Sequence, residues 1–291
     1  MKIVLTTNDH LGDTVVLSAA IRNAKAAFPD LQIAYSGNYS DVFLNNPDVS
    51  DFDKDGKDVI RLHIRYAPFS QKRGDGGNLC EGFSRNLATA LKPFTGRLFD
   101  VFQTTPYICL SDDEKRPVVS FDGGYCVLNA NCQRCSEVKS YPWFQQIIDR
   151  SPCIAFVQIG GNEKRDISQE LRGVFDYRGR TSIRELFRLV IHAKWVLSPP
   201  SAVVNIAAAF PQVKSLVLTG AREPVVLTGY ANARHFATEC DRGKYDNEHG
   251  CMRFFLHGER KSCDYIDETG IRRYARCMGR ISPKEVAACL E

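Results

Sequence analysis

The sequence predicts an α/β protein made of two parallel-sheet domains. Three observations carry that prediction. A buried-strand pattern at Met1–Leu5 runs through a glycine turn into a helical pattern at Val15–Phe28. Strand and helix patterns alternate again from Tyr125 onward. The length of 291 residues suits two domains, at roughly 100–200 residues each.

The composition is that of a globular chain with a sizeable core, 44% hydrophobic and 25% charged. A net charge of +4 admits an anionic ligand but is not the footprint of a nucleic-acid surface. No apolar run reaches membrane-spanning length, and Lys2 is followed by too short an apolar stretch for a signal peptide. The expected location is therefore the cytoplasm. In a reducing compartment, eleven cysteines point to buried thiols or metal ligands, and the odd number argues against a complete disulfide framework.

Met1 to Leu5 reads as a buried parallel strand. Beyond Asp13, apolar or small residues at Val15, Val16, Ala19, Ala20, Ala24 and Ala27 recur near the helical period until Phe28-Pro29-Asp30 stops them. Leu31 to Tyr35 is a second strand, Gly37-Asn38 turns the chain, and Tyr39 to Leu44 is a short helix. This order implies a right-handed crossover. Asp53-Lys54-Asp55-Gly56 lacks the bidentate Glu of a calcium loop and reads as a plain loop. Val59 to Tyr66 alternates as a strand, Ser70 to Asn78 is a basic, glycine-rich loop with Lys72 and Arg73, and Leu79 to Leu91 is helical. The charged stretch Ser111 to Pro117 marks a boundary between domains 1–116 and 117–239.

In the second half, Val118 to Phe121 reads as a linking strand and Tyr125 to Asn129 as a buried one. Cys132-Gln133-Arg134-Cys135 is a lone pair of cysteines without the surroundings of a redox or zinc motif. A helix is expected from Lys139 through Ile148, a strand from Cys153 to Ile159 ending at Gly160-Gly161, and a short strand at Val174–Asp176. Thr181 to Ala193 is an amphipathic helix capped by Thr181 or Ser182, with Arg184 and Glu185 on its polar face. Strands at Trp195–Leu197 and Ser215–Leu218 flank the turn Ser198–Ser201 and a small-residue helix, Ala202–Phe210. Ser282-Pro283-Lys284-Glu285 opens a final helix over 282–291.

Two stretches stand out chemically. Thr7-Asn8-Asp9-His10-Leu11-Gly12-Asp13-Thr14 lies between strand and helix, where α/β proteins place their chemistry. Asp13 either faces a substrate or, with Thr14, caps the helix. After Glu239 the composition changes: Cys240, Cys251, Cys263 and Cys277 sit in polar sequence near His249 and His257. Four thiolates can close a tetrahedral zinc or iron site and order the segment 240–281; free thiols or disulfides are the alternatives.

Three ordered patterns resemble glycosyltransferase family 9, the heptosyltransferase-like enzymes. They are Gly12-Asp13-Thr14-Val15-Val16-Leu17-Ser18-Ala19-Ala20-Ile21-Arg22 with Ala26-Ala27-Phe28-Pro29; Gly179-Arg180-Thr181-Ser182-Ile183-Arg184-Glu185-Leu186; and Val196-Leu197-Ser198 followed by Ser201 and Asn205-Ile206-Ala207-Ala208-Ala209. The resemblance implies a GT-B architecture, two Rossmann-like domains facing across a cleft, with a small C-terminal cysteine-rich metal-finger segment. It implies an acceptor site in the first domain and a nucleotide-sugar site in the second. Asp13 then maps to the catalytic base, Lys139 to a lysine that opens a helix and contacts donor phosphate, and Gly220-Ala221-Arg222-Glu223-Pro224 to the loop beside the donor. Gly160, Ser201 and Asn205 join Lys139, Arg222 and Glu223 as donor-binding candidates, and His10, Gly12 and Thr14 are acceptor-side candidates. Relatives that glycosylate autotransporters carry a cysteine-rich finger that binds iron, which maps to Cys240, Cys251, Cys263 and Cys277. In such two-domain transferases the final helix often crosses back to the first domain.

The sequence also departs from the family pattern. Pro200-Ser201-Ala202-Val203-Val204-Asn205 stands where many members have Asp-Ser-Gly-x-x-His, so an acceptor and a donor toward the sugar nucleotide are both replaced. The chain is short for the family, mainly in its acceptor domain.

Glycosyl transfer needs an activated acceptor hydroxyl and a stabilised leaving diphosphate. The expected activity is inverting transfer from a nucleotide-diphosphate sugar, ADP-heptose being one candidate, with Asp13 as base. No Asp-x-Asp motif stands in a suitable loop, so no catalytic metal is expected. The acceptor is a saccharide, a protein hydroxyl or a modified DNA base, and a homo-oligomer is left open. The competing expectations are a catalytically silent family member or a metal-finger nucleic-acid-binding protein. Lys139 also reads as an ordinary surface lysine, and Arg222 with Glu223 as a surface pair. The first strand lacks the G-x-G-x-x-G of a nicotinamide enzyme.

Overall fold

A computed structural model describes residues 1–66, 77–130, 138–161, 170–240, 266–269 and 272–291. The basic residues Lys72 and Arg73 and the pair Cys132 and Cys135 lie outside them.

The first lobe is built on a three-stranded parallel sheet of order β2-β1-β3, with β1 at Lys2–Thr6, β2 at Gln32–Tyr35 and β3 at Val59–His63. Helix α1, Leu11–Ala27, is buried nearly all round: Val15, Val16, Leu17, Ala19, Ala20 and Ile21 are inaccessible. A helix that apolar must be covered on several sides. Here the sheet, α2 (Leu79–Thr95) and the second lobe cover it. The short helix expected at Tyr39–Leu44 is a single 3₁₀ turn, Ser40–Phe43.

Helix α2 opens with a reciprocal cap. Asn78 Oδ1 accepts from the Glu81 N–H at 3.1 Å, and Glu81 Oε2 accepts from the Asn78 N–H at 2.8 Å. The Asn78 amide also donates to the Thr104 carbonyl at 2.8 Å, pinning the following loop to the helix start. Asn78→Ala removes both contacts and is expected to cost about 1–2 kcal/mol in urea denaturation at unchanged m-value.

The second lobe holds a six-stranded sheet, ordered β6-β5-β4-β7-β8-β9. Its strands are β4 (Tyr125–Asn129), β5 (Ala155–Ile159), β6 (Val174–Asp176), β7 (Trp195–Ser198), β8 (Lys214–Gly220) and β9 (Ala233–Ala237), all parallel. Relative to β4 this is the doubly wound order 3-2-1-4-5-6. The winding reverses between β4 and β7, and in such sheets the ligand crevice opens at the carboxyl ends of those two strands. Helices α3 (Phe144–Arg150), α4 (Ile183–Ile191) and α5 (Ala202–Ala208) accompany them. Beyond the sheet lie the antiparallel hairpin β10 (Ile266–Thr269) and β11 (Arg272–Ala275), then α6 (Arg276–Gly279) and α7 (Pro283–Ala287).

Two cores organise the chain. One runs without a break from Ile3 and Leu5 in the first sheet, through α1 and α5, to Val127, Val157 and Val217 in the second. The other covers the far face of the second sheet, where Phe144, Ile147, Phe156, Met278, Val286 and Leu290 meet. The Tyr141 hydroxyl donates to the Ile281 carbonyl at 3.1 Å, and Trp143 Nε1 to the Gly279 carbonyl at 2.8 Å. The final helix therefore packs on α3 within the second lobe and does not cross back to the first.

Two other expectations are corrected, for Val118–Phe121 and for Arg184, and the choice between Thr181 and Ser182 is settled. Val118–Phe121 forms no strand; Val118, Val119 and Phe121 pack against the core from a loop that ends at Gly123 and Gly124, both with positive φ. Ser182 is the cap of α4, with a capping box to Glu185. Arg184 is not on a solvated face. It is buried and donates to Glu114 through Nε and Nη2, both at 2.6 Å, to the Cys109 carbonyl at 2.6 Å and to the Asp41 carbonyl at 3.2 Å. Glu114 Oε2 also accepts from the Ser111 N–H at 2.8 Å and the Asn45 amide at 3.1 Å. One ion pair thus ties the interlobe segment to both lobes.

Candidate functional site

The sequence after β1 positions the first side of the site. Thr6 pairs with His63 across β1 and β3, and Thr6 Oγ1 lies 3.1 Å from His63 Nδ1. Helix α1 begins at Leu11, with His10 at its N-cap and no side-chain cap hydrogen bond. Gly12, Asp13 and Thr14 are thus inside the first turn, and the expectation that Asp13 or Thr14 caps the helix is corrected. The reason is that Leu11 and Gly12 already adopt helical geometry, which moves the cap two residues upstream of the glycine.

Asp13 is half-buried, and its Oδ2 accepts from the Asn8 amide at 2.9 Å. Burial raises its pKa above the ordinary aspartate value; the Asn8 hydrogen bond and the positive fields of His10, Lys139 and His63 oppose the rise. Thr14 is fully buried: its hydroxyl donates to the His10 carbonyl at 3.2 Å and pairs with the Tyr35 hydroxyl at 3.1 Å.

The second side lies at the winding reversal of the larger sheet. The Asn129 amide, at the end of β4, donates to Ser198 Oγ and Ser201 Oγ, both at 3.1 Å, and the two serine hydroxyls are 2.8 Å apart. Lys139 precedes α3 instead of opening it. Its ammonium donates to the Pro200 carbonyl at 2.7 Å and forms a 2.6 Å ion pair with Glu223. Glu223 is also paired with Arg222, which is buried, so these two do not form a loose surface pair. Gly160 follows β5, and its carbonyl accepts from the Gly179 N–H at 2.8 Å.

The lobes touch where α1 and α5 begin. A methyl group placed on Gly12 would stand 3.4 Å from Asn205 Nδ2 and 3.5 Å from Ala202 Cα, ordinary contact distances. Asn205 is buried, and its Oδ1 accepts from the Tyr230 hydroxyl at 3.0 Å. Tyr230 carries no motif signal; only folding brings it to Asn205. The structure thus gathers Lys139, Arg222 and Glu223 into one charged cluster, sets Ser201 beside Asn129, and brings Gly12 against Asn205. Gly160 belongs to a neighbouring strand end.

Of the four expected metal ligands, Cys251 and Cys263 lie outside the described residues. Cys240 and Cys277 are half-buried. Cys277 borders Gly220 at the end of β8, and its carbonyl accepts from Thr238 Oγ1 at 2.8 Å. Among the described residues no group of three or more potential ligands converges, and no described helix is long and apolar enough to cross a membrane.

Compared with solved structures, the chain aligns over 100% of its length with 97% of the E. coli ADP-heptose lps heptosyltransferase II, at a TM-score of 0.64 and 13% identity. The chain has the heptosyltransferase fold. That fold, GT-B in architecture, also relates it to a family 9 glycosyl transferase from Veillonella parvula DSM 2008, with a TM-score of 0.60, 14% identity, and coverage of 85% of this chain and 92% of that one. TibC from enterotoxigenic E. coli H10407, an iron-containing dodecameric glycosyltransferase, shares the heptosyltransferase fold with a TM-score of 0.66 and 15% identity over 99% of this chain and 74% of its own. No protein-family model and no curated protein sequence matches the chain.

Proposed function

We propose that the chain is an inverting glycosyltransferase that moves a sugar from a nucleotide-diphosphate donor to an acceptor hydroxyl. The observation that carries this reading is the half-buried Asp13 carboxyl at the first lobe's edge, in the electrostatic field of Lys139 from the second. Burial gives Asp13 a proton affinity suited to a general base, and Lys139 is a cation suited to a leaving diphosphate.

In the proposed step the acceptor oxygen attacks the anomeric carbon from the side of Asp13. Its proton passes to the carboxylate, while the bond to the diphosphate oxygen breaks and the diphosphate departs with the electron pair. Lys139, Ser201 and Asn205 hold the donor, with Arg222 and Glu223 at its side and Gly160 at the rim; His10 and Gly12 face the acceptor, and Thr14 secures the turn that carries Asp13. Because Glu223 holds Lys139 in the free protein, a diphosphate must compete with that carboxylate. ADP-heptose is the leading donor, since related structures of this fold contain ADP or ADP-D-beta-D-heptose. A zinc or iron ion on Cys240, Cys251, Cys263 and Cys277 would staple the segment 240–281. Cys277 borders the end of β8 and Cys240 follows β9 closely in sequence, which fits such a staple. A homo-oligomer and a cytoplasmic location complete the proposal; TibC, with its iron, is dodecameric.

Thermal shift with ADP, UDP and duplex DNA tests the reading. Ligand at about 100 times its Kd adds ~2.7 kcal/mol and a clear rise in Tm. A rise with ADP or UDP is expected. A rise with DNA alone turns the reading toward a nucleic-acid-binding protein, and no rise with any of them toward a catalytically silent relative.

A further inference from the structure

We infer that Tyr230 is a positioning residue that orients the Asn205 amide so that its NH₂ group is offered to the terminal phosphate of a bound nucleoside diphosphate. The inference rests on the donor-binding reading above and adds to it a residue outside every sequence motif.

Asn205 is 3% exposed, and its amide can sit either way round. In the orientation that leaves the NH₂ group facing Gly12, the Tyr230 hydroxyl, 4% exposed, donates to Oδ1 at 3.0 Å. Its other polar neighbour is Cys80 Sγ in α2 at 3.9 Å, a poor competitor because a thiol is a weak partner. With the oxygen held, the NH₂ turns toward Gly12, 3.4 Å from where a glycine methyl would stand. Among the described residues, that NH₂ has no acceptor.

An amide donor left open in this way gains a hydrogen bond when a ligand supplies the acceptor. It is aimed at the first turn of α1, a 17-residue helix whose start has no side-chain cap hydrogen bond. Uncapped N–H groups and a fixed amide donor meeting at one place suit an oxyanion. Lys139 supplies positive charge nearby, being among the groups whose field reaches Asp13. In Tyr230→Phe the carbonyl loses its donor, the amide is free to turn over, and the NH₂ is offered to the ligand only part of the time.

Calorimetric titration of ADP and AMP tests this, AMP lacking the terminal phosphate. Tyr230→Phe is expected to weaken ADP about tenfold while leaving AMP unchanged. In an Asn205→Ala background, Tyr230→Phe is expected to add no further loss, because Tyr230 acts through Asn205. Equal ADP affinity in wild type and Tyr230→Phe overturns the inference, as does a parallel loss of ADP and AMP, which a merely structural role would give. If Asn205→Ala fails to fold, the ADP-against-AMP comparison on Tyr230→Phe alone decides. Wild-type protein that binds neither ADP nor UDP overturns the donor reading itself, and this inference with it.

Discussion

Asp13→Asn is expected to lower sugar transfer about 10²–10⁴-fold, the usual worth of a positioned general base, with little change in thermal midpoint. The substitution keeps the size of the side chain and removes its basicity. It leaves the first turn of α1 in place, because Asp13 does not cap that helix. Transfer is read as release of nucleoside diphosphate from the donor, and near-normal turnover in Asp13→Asn would remove Asp13 from the mechanism. The wild-type pH profile gives an independent check. Burial raises the Asp13 pKa, so the acid limb of kcat/KM should lie above the ordinary aspartate value and rise as the carboxyl loses its proton. Asp13→Asn should lack that limb.

Arg184→Ala should produce the largest loss of stability, about 3 kcal/mol in urea denaturation at pH 7. The guanidinium makes four hydrogen bonds, two to Glu114 and one each to the carbonyls of Cys109 and Asp41. Its removal leaves a half-buried carboxylate facing carbonyl oxygens. The pair also has a pH signature. Hydrogen bonding from Arg184 lowers the Glu114 pKa from 4.5 to about 2. A carboxyl depressed on folding contributes stability that is fully present above its unfolded pKa and is lost as pH falls through the folded value. The contribution should therefore fade between about pH 4.5 and 2 in the wild type and be missing from that window in Arg184→Ala. Equal acid sensitivity of the two proteins would show that the pair contributes nothing.

Much of the fold is legible because a parallel strand buried on both faces reads as an apolar run, as at Tyr125–Asn129, which the sequence locates to the residue. β9 was missed because Ala-Arg-His-Phe-Ala carries one large apolar residue and lies at a sheet edge. The family resemblance places Lys139 at a helix start, yet the helix forms only from Phe144. Arg184 was assigned to a polar face because helical periodicity says which residues are polar and nothing about a carboxylate 70 positions away. The site followed the same division. The turn carrying Asp13 has a local sequence signal, so it was found. Tyr230 binds Asn205 from 25 positions away, through a contact that only the folded chain creates.

The unbroken core also governs how substrates can enter. Side chains from both sheets share one apolar interior through α1 and α5, so prising the halves apart would wet that interior as well as open the crevice. Wide hinge motion is therefore costly in this chain. Under the proposed function, a sugar nucleotide would therefore have to enter without the two sheets parting.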